Sequence, residues 1–179
     1  MTASNAPLKL IFAGPPGAGK TTAIAAISDV PPVNTDVAAT DEVANIKERT
    51  TVAMDYGELT LAGGQRLFLY GTPGQERFDF MWKILAAGSL GLVVLIDNTR
   101  PDPVADLAFY VDNFRELIDS AAGVVGITRA QEGPPLGAYF ELLAAKECPM
   151  PVLEVDAREK QDVLRLLDAF LSVLEYADA

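Results

Sequence analysis

One run of residues carries the clearest chemistry in the chain: Gly14-Pro15-Pro16-Gly17-Ala18-Gly19-Lys20-Thr21. It matches G-x-x-x-x-G-K-[ST], the Walker A pattern, in which glycines let backbone N–H groups close on phosphate oxygens. Lys20 would place a point charge on the β- and γ-phosphates of a nucleoside triphosphate, and the Thr21 hydroxyl would ligate Mg2+. Thr22 follows in the first helical turn, where the positive end of the helix dipole faces the anion.

Such a loop works only between a strand and a helix, and the flanking residues supply both. Leu8 to Ala13 is an apolar run that predicts a buried strand, and Lys20 to Ser28 predicts a helix stopped by Asp29 and Pro31-Pro32. Val33 to Lys47 is weakly patterned and reads as a loop. Thr51 to Leu61 and Arg66 to Tyr70 read as a hairpin turning at Ala62-Gly63-Gly64. Beyond it come a helix over Glu76 to Ala87, a strand over Leu90 to Ile96 and a helix over Pro103 to Ser120. A strand over Val124 to Thr128, a helix over Pro134 to Glu147 and a short strand over Val152 to Val155 follow. The last helix repeats Val163, Leu166, Leu167, Phe170, Leu171 and Leu174 on one face. Strands alternating with helices imply a three-layer α/β fold. The expected sheet has about six mostly parallel strands, with one antiparallel edge strand from the hairpin. Residues 1–179 are expected to form one domain.

Composition removes whole classes of chemistry. With 25 acidic and 14 basic side chains the net charge is −11, which argues against nucleic acid or an anionic membrane as partner. The chain has no histidine, so Ser-His-Asp and Cys-His catalysis, imidazole metal sites and imidazole pH switching are excluded. The single Cys148 permits no intramolecular disulfide and suits a reducing compartment. No basic segment precedes Pro7, and the longest apolar run, Leu85 to Ile96, is interrupted by Gly88, Ser89 and Gly91. A membrane span needs about 20 apolar residues. The expectation is a cytoplasmic protein without direct membrane insertion.

Two further blocks separate a phosphotransferase from a switch. Gly71-Thr72-Pro73-Gly74-Gln75-Glu76-Arg77-Phe78 resembles the D-T-A-G-Q-E switch II segment of Ras-like small GTPases. The resemblance makes Gly74 the γ-phosphate sensor and Gln75 the residue that orients the attacking water. Glu48 to Gly57 stands where such proteins keep switch I. Thr51, with Thr50 as fallback, would close over Mg2+ and the γ-phosphate. Arg49 would act as an arginine finger in cis or remain a solvated loop residue. Together T-T-V-A-M-D-Y-G and G-T-P-G-Q-E-R-F-x-F-M-W are similar to bacterial conservon-type small GTPases, often labelled ATP/GTP-binding proteins and related to the gliding-motility polarity GTPase. The resemblance spans Leu8 to about Val173. It implies a Ras-like fold, GTP/GDP and Mg2+ as cofactors, slow GTP hydrolysis, and a Roadblock/LC7-type partner or GTPase-activating protein at the switch surface.

The chain departs from that pattern in two places. Gly71 occupies the position of the aspartate that holds Mg2+ through water, and Asp55 or Asp97 is the candidate replacement. In place of N-K-x-D stands Thr128-Arg129-Ala130-Gln131. Thr128 would brace the phosphate loop and the Arg129 stem would cover the base. Gln131 lacks the charge and the paired acceptors of aspartate, which leaves guanine selectivity open. Asp156-Ala157-Arg158 resembles the S-A-K loop, whose alanine N–H meets guanine O6. Phe78, Phe80, Met81 and Trp82 exceed one helical face, so part of that cluster is expected to bind a partner. Two other functions compete with the switch GTPase: a scaffold that binds nucleotide without hydrolysing it, and a P-loop small-molecule kinase sharing the strand-end Asp97.

Overall fold

The computed structural model describes residues 7–34, 54–73 and 79–179. Its strands are β1 (Leu8–Ala13), β2 (Val33–Asn34), β3 (Asp55–Thr60), β4 (Arg66–Gly71), β5 (Leu92–Asp97), β6 (Gly123–Thr128) and β7 (Val152–Glu154). They form one sheet in the order β2-β3-β4-β1-β5-β6-β7. The helices are α1 (Lys20–Ile27), α2 (Asp79–Ala86), α3 (Pro103–Asn113), α4 (Arg115–Ser120), α5 (Leu136–Ala145) and α6 (Lys160–Asp178).

The expected α/β architecture is present. From β4 to β7 every pairing is parallel, and β3 runs antiparallel to β4. The reading of Val33 to Lys47 as loop changes at its first two residues. Val33 and Asn34 pair antiparallel with Tyr56 and Asp55, so a two-residue strand borders β3. Nothing in so short a run sets a period that the sequence could reveal. The helix expected over Pro103 to Ser120 is two, broken at Phe114 (φ −107°, ψ 15°). Asp102 caps the first of them by accepting from Ala105 N at 3.1 Å, and Pro103 takes the first helical position, where no N–H is needed.

Central parallel strands are covered on both faces, which is why β5 (LVVLID) and β6 (GVVGIT) read as unbroken apolar runs. Alternate residues divide between two cores. Ile11, Leu92, Val94, Ile96 and Ile127 meet α2, α3 and α5 on one face. Leu10, Phe12, Val93, Leu95 and Val124 meet α1 and α6 on the other. Cys148 is a buried free thiol. Among the described residues no helix is long and apolar enough to cross a membrane.

Candidate functional site

The phosphate loop leaves β1 at Ala13 and enters α1 at Lys20. Gly14 sits at φ +150°, and a Cβ there would lie 2.1 Å from the Leu95 carbonyl oxygen, so the loop packs on β5 only with glycine at its start. Among the described residues, the N–H groups of Gly17, Gly19, Lys20 and Thr21 meet no acceptor. Together with the start of α1 they make a concave set of donors suited to an anion. Lys20 is buried, and its ammonium donates to the carbonyls of Gly14 (2.6 Å) and Pro15 (3.0 Å). Burial lowers its pKa to about 8. The Asp55 carboxylate opposes that shift and Arg100 adds to it.

Beside Gly71 the neighbouring strand presents a carboxylate. Asp55 lies opposite Gly71 in the β3–β4 register, and its Oδ2 accepts from the Thr21 hydroxyl at 2.5 Å. A Cβ on residue 71 would come within 3.1 Å of Asp55 Cβ and 3.2 Å of its Oδ2, with Ile24 Cδ1 also at 3.2 Å. Gly71 therefore leaves the space that the Asp55 side chain fills. Asp97, the other candidate, faces elsewhere. Its Oδ1 accepts from Thr99 N (2.9 Å) and Thr99 Oγ1 (2.7 Å), and its Oδ2 pairs with Arg129 Nη1 at 2.5 Å. Burial opposes ionisation of Asp97, but these donors outweigh it and hold the carboxyl below the usual value.

Beside the phosphate loop lies a cavity of about 990 Å3. Gly17, Ala18, Gly19 and Thr22 line one side, Thr128 to Gln131 a second, and Val155 to Arg158 a third. Thr128 braces the phosphate loop as expected, its hydroxyl within hydrogen-bond distance of Ala18 O (3.1 Å) and Ile96 O (3.2 Å). Arg129, at φ +52°, reaches across to Gly17 O at 3.4 Å while paired with Asp97. Arg158 is exposed and turned onto Asp156, Nη2 to Oδ2 at 2.7 Å. The structure thus brings together Gly14, Pro15, Pro16, Gly17, Ala18, Gly19, Lys20, Thr21, Thr22, Thr128, Arg129, Gln131, Ala157 and Arg158 at the ends of parallel strands. Asn98 and Tyr139 escape sequence reading. Asn98 donates from Nδ2 to Glu132 O and to Pro134 O (3.0 Å), and Tyr139 OH donates to Asn98 Oδ1. The one sequence signal is Asn98, a polar residue directly after the apolar strand β5; Tyr139, inside α5, offers none.

Arg49, Thr50, Thr51, Gly74, Gln75 and Phe78 lie outside the described residues. The chain on either side of residues 74–78 is tied to the fold. Thr72 N donates to Phe12 O (2.9 Å), and the Trp82 indole N–H donates to Pro73 O (3.1 Å). Trp82 and Met81 are core. Trp82 stacks on Phe114, ring centroids 5.4 Å apart, whereas Phe80 is 44% exposed. Replacing Trp82 with Phe keeps an apolar ring but leaves Pro73 O without its donor, and should destabilise the fold by about 2 kcal/mol. Urea unfolding measures this. A loss below about 0.5 kcal/mol would mean that the bond contributes nothing net.

The family described as conserved hypothetical ATP binding protein matches residues 12–114, which hold the phosphate loop, β3, β4 and β5. Over 61 residues the chain is 33% identical to the uncharacterized protein MJ1339 of Methanocaldococcus jannaschii, a stretch of 34% of this chain and 39% of that protein. Among solved structures, bacterial selenocysteine-specific elongation factor EF-Sec superposes with a TM-score of 0.64 at 17% identity, over 95% of this chain and 29% of the factor. That likeness concerns the fold. The chain spans well under two thirds of either protein. With the phosphate loop, its lysine and its threonine assembled on a P-loop NTPase-like sheet, the chain is a nucleotide-binding P-loop protein and belongs to the conserved hypothetical ATP-binding family.

Proposed function

We propose that the protein is a Ras-like molecular switch that binds GTP with Mg2+, hydrolyses it slowly and signals through its switch surface. The observation that carries this reading is the Thr21–Asp55 pair at the mouth of the phosphate loop. A hydroxyl and a carboxylate converge on the side of Lys20 where a divalent cation would sit, and glycine at 71 makes room for the carboxylate. Oxygen donors of this kind suit Mg2+. Thr21 would ligate the ion and Asp55 would hold one of its waters. When bound, the ion neutralises charge developing between the β- and γ-phosphates.

The protein's own groups do the rest. Unpaired N–H groups of the loop and Lys20 hold the phosphates, and Thr128 keeps the loop in shape. By resemblance, Gly74 and Thr51 sense the γ-phosphate, Gln75 positions water and Arg49 is available as a finger. Asp97 is engaged by Arg129 and Thr99, which favours a switch over a kinase needing that carboxylate as base. The exposed Phe80, beside the buried Trp82, supports a partner at this surface, and a Roadblock/LC7-type regulator of the conservon type is the proposed one.

Gln75→Leu tests the hydrolytic part. Single-turnover phosphate release should fall at least about tenfold, with GTP affinity within about twofold of the parent, as expected for a residue that only orients water. Unchanged release would remove Gln75 from the reaction, and release no faster than the solvent background in the parent would overturn the hydrolytic reading and leave a nucleotide-binding scaffold.

A further inference from the structure

We propose that Tyr139 and Asn98 are positioning residues that set how long nucleotide stays bound. They do so through a buried chain of hydrogen bonds that runs from α5, by way of the turn after β5, to the phosphate loop. This rests on the loop holding a nucleoside triphosphate, whatever its base.

The centre of the chain is Asn98, buried directly after β5. Its backbone N–H donates to Thr128 O at 3.0 Å, which extends the β5–β6 ladder by one bond. Its Nδ2 donates to two carbonyls of the loop after β6, Glu132 O and Pro134 O (3.0 Å). Its Oδ1 accepts from the Tyr139 hydroxyl. The last torsion of an asparagine is broad and roughly two-fold, so the amide alone has no preferred way up. The Tyr139 hydroxyl sets it, with oxygen toward α5 and nitrogen toward the loop. Turned over, the amide would set its oxygen against two carbonyl oxygens. Burial, with the carboxylates of Asp106, Asp102 and Asp97 nearby, pushes the Tyr139 pKa up to about 12. The hydroxyl therefore keeps its proton and stays a donor.

The other end of the chain is the phosphate loop. The carbonyls held by Asn98 belong to the same loop as Thr128 and Arg129, and Glu132 N donates back to Arg129 O at 3.2 Å. Gly133 lies against Asn98, since a Cβ there, at φ +78°, would come within 2.1 Å of the Asn98 carbonyl oxygen. From this loop Thr128 Oγ1 reaches Ala18 O at 3.1 Å, and Arg129 Nη1 reaches Gly17 O at 3.4 Å. The Ala18 carbonyl shares its peptide plane with the Gly19 N–H, one of the donors left open for the anion. Holding that carbonyl aims that donor.

Core packing does not call for these polar groups. Tyr139 is fully buried in the core of its face, where phenylalanine would fill nearly the same space. Burying a hydroxyl and an amide is unfavourable unless both are bonded. What they secure is not a core element but a loop that contains Gly133 and Pro134 and lines the cavity through Thr128 to Gln131. A buried polar network with every member bonded rigidifies what it holds. A loop fixed in advance spares the ligand the entropy of ordering it. Loosening the loop lets contacts to the nucleotide break more often, which raises the dissociation rate more than it changes association.

The test is the dissociation rate of a fluorescent N-methylanthraniloyl triphosphate with Mg2+, chased by excess unlabelled nucleotide. The GTP or the ATP derivative is used, whichever the parent binds more tightly. Tyr139→Phe should speed dissociation by at least about threefold, within the range of one lost hydrogen bond. Asn98→Ala releases the loop altogether and should speed it by at least about tenfold. In that background Tyr139→Phe should add less than about twofold, because the chain is already cut. Leu117→Ala, a core truncation in α4 at the opposite end of the sheet, lowers stability and should leave the rate within about twofold of the parent. Should Asn98→Ala not fold, Tyr139→Phe set against Leu117→Ala decides. A smaller effect of Tyr139→Phe would overturn the inference. So would an equal effect of Leu117→Ala, which would assign the change to overall stability, and so would full multiplication of the two effects in the double variant. These results would leave nucleotide binding itself intact. A parent chain that binds neither derivative, with folding confirmed by circular dichroism, would overturn the nucleotide reading and this inference with it.

Discussion

Lys20→Ala should reduce triphosphate affinity by about 100-fold or more without destabilising the fold. The side chain is buried, and its only partners among the described residues are two backbone carbonyls of its own loop. Burial pulls its pKa down to about 8, so the folded protein holds this cation at a cost when no anion is present. A bound polyphosphate replaces those carbonyl contacts with charge-assisted bonds, each contributing about 1.5–3 kcal/mol. Two such bonds lost amount to a factor of about 100 or more in Kd. Removing the lysine also removes an incompletely compensated buried charge, so unfolding midpoints should stay equal or rise. Titration with GTP and Mg2+ alongside thermal unfolding separates the two effects. A loss below threefold in affinity would contradict the placement of the γ-phosphate beside Lys20.

Asp55→Asn should weaken the dependence on Mg2+ by about 10–100-fold, the range for groups that hold a metal through its ligands. The amide preserves size and an acceptor for the Thr21 hydroxyl, so the β3–β4 pairing persists and the change isolates the charge. The measurement is Mg2+ titration of GTP binding and phosphate release. An unchanged half-maximal Mg2+ concentration would assign the ion to other groups. Gly71→Asp alone should not restore function to this variant. A side chain at 71 meets Asp55 Oδ2 at 3.2 Å, and the asparagine of Asp55→Asn still fills that terminal position. Combining Gly71→Asp with Asp55→Ala removes the terminal oxygens at 55 and should recover part of the Mg2+ response.

What could be read from residues alone was the part governed by short-range pattern. The apolar run Leu8–Ala13, the glycines after it and the helix opening at Lys20 lie within one stretch of chain, and the structure reproduces them. The strand pattern was equally legible in β5 and β6, because strands buried on both faces leave long apolar runs. The difference between the surroundings of Asp55 and Asp97 was not legible. It depends on register across β3 and β4, which puts Asp55 opposite Gly71, and on Arg129, distant in sequence, which occupies Asp97. The break at Phe114 carried no proline or glycine signal. Nor could the spacing of Phe80, Met81 and Trp82 say which ring is core. That follows from the aromatic platform of Phe109, Tyr110 and Phe114, which captures Trp82 and leaves Phe80 at the surface.

The central claim is that this nucleotide-binding protein turns over its triphosphate as a slow switch. Phosphate release from GTP under single-turnover conditions, with Mg2+ and again with EDTA, tests it most directly. The reading requires slow release with Mg2+, at about 10⁻4 to 10⁻2 per second without a partner, and release near the solvent background in EDTA. Tight GTP binding with no release above background in Mg2+ would contradict it.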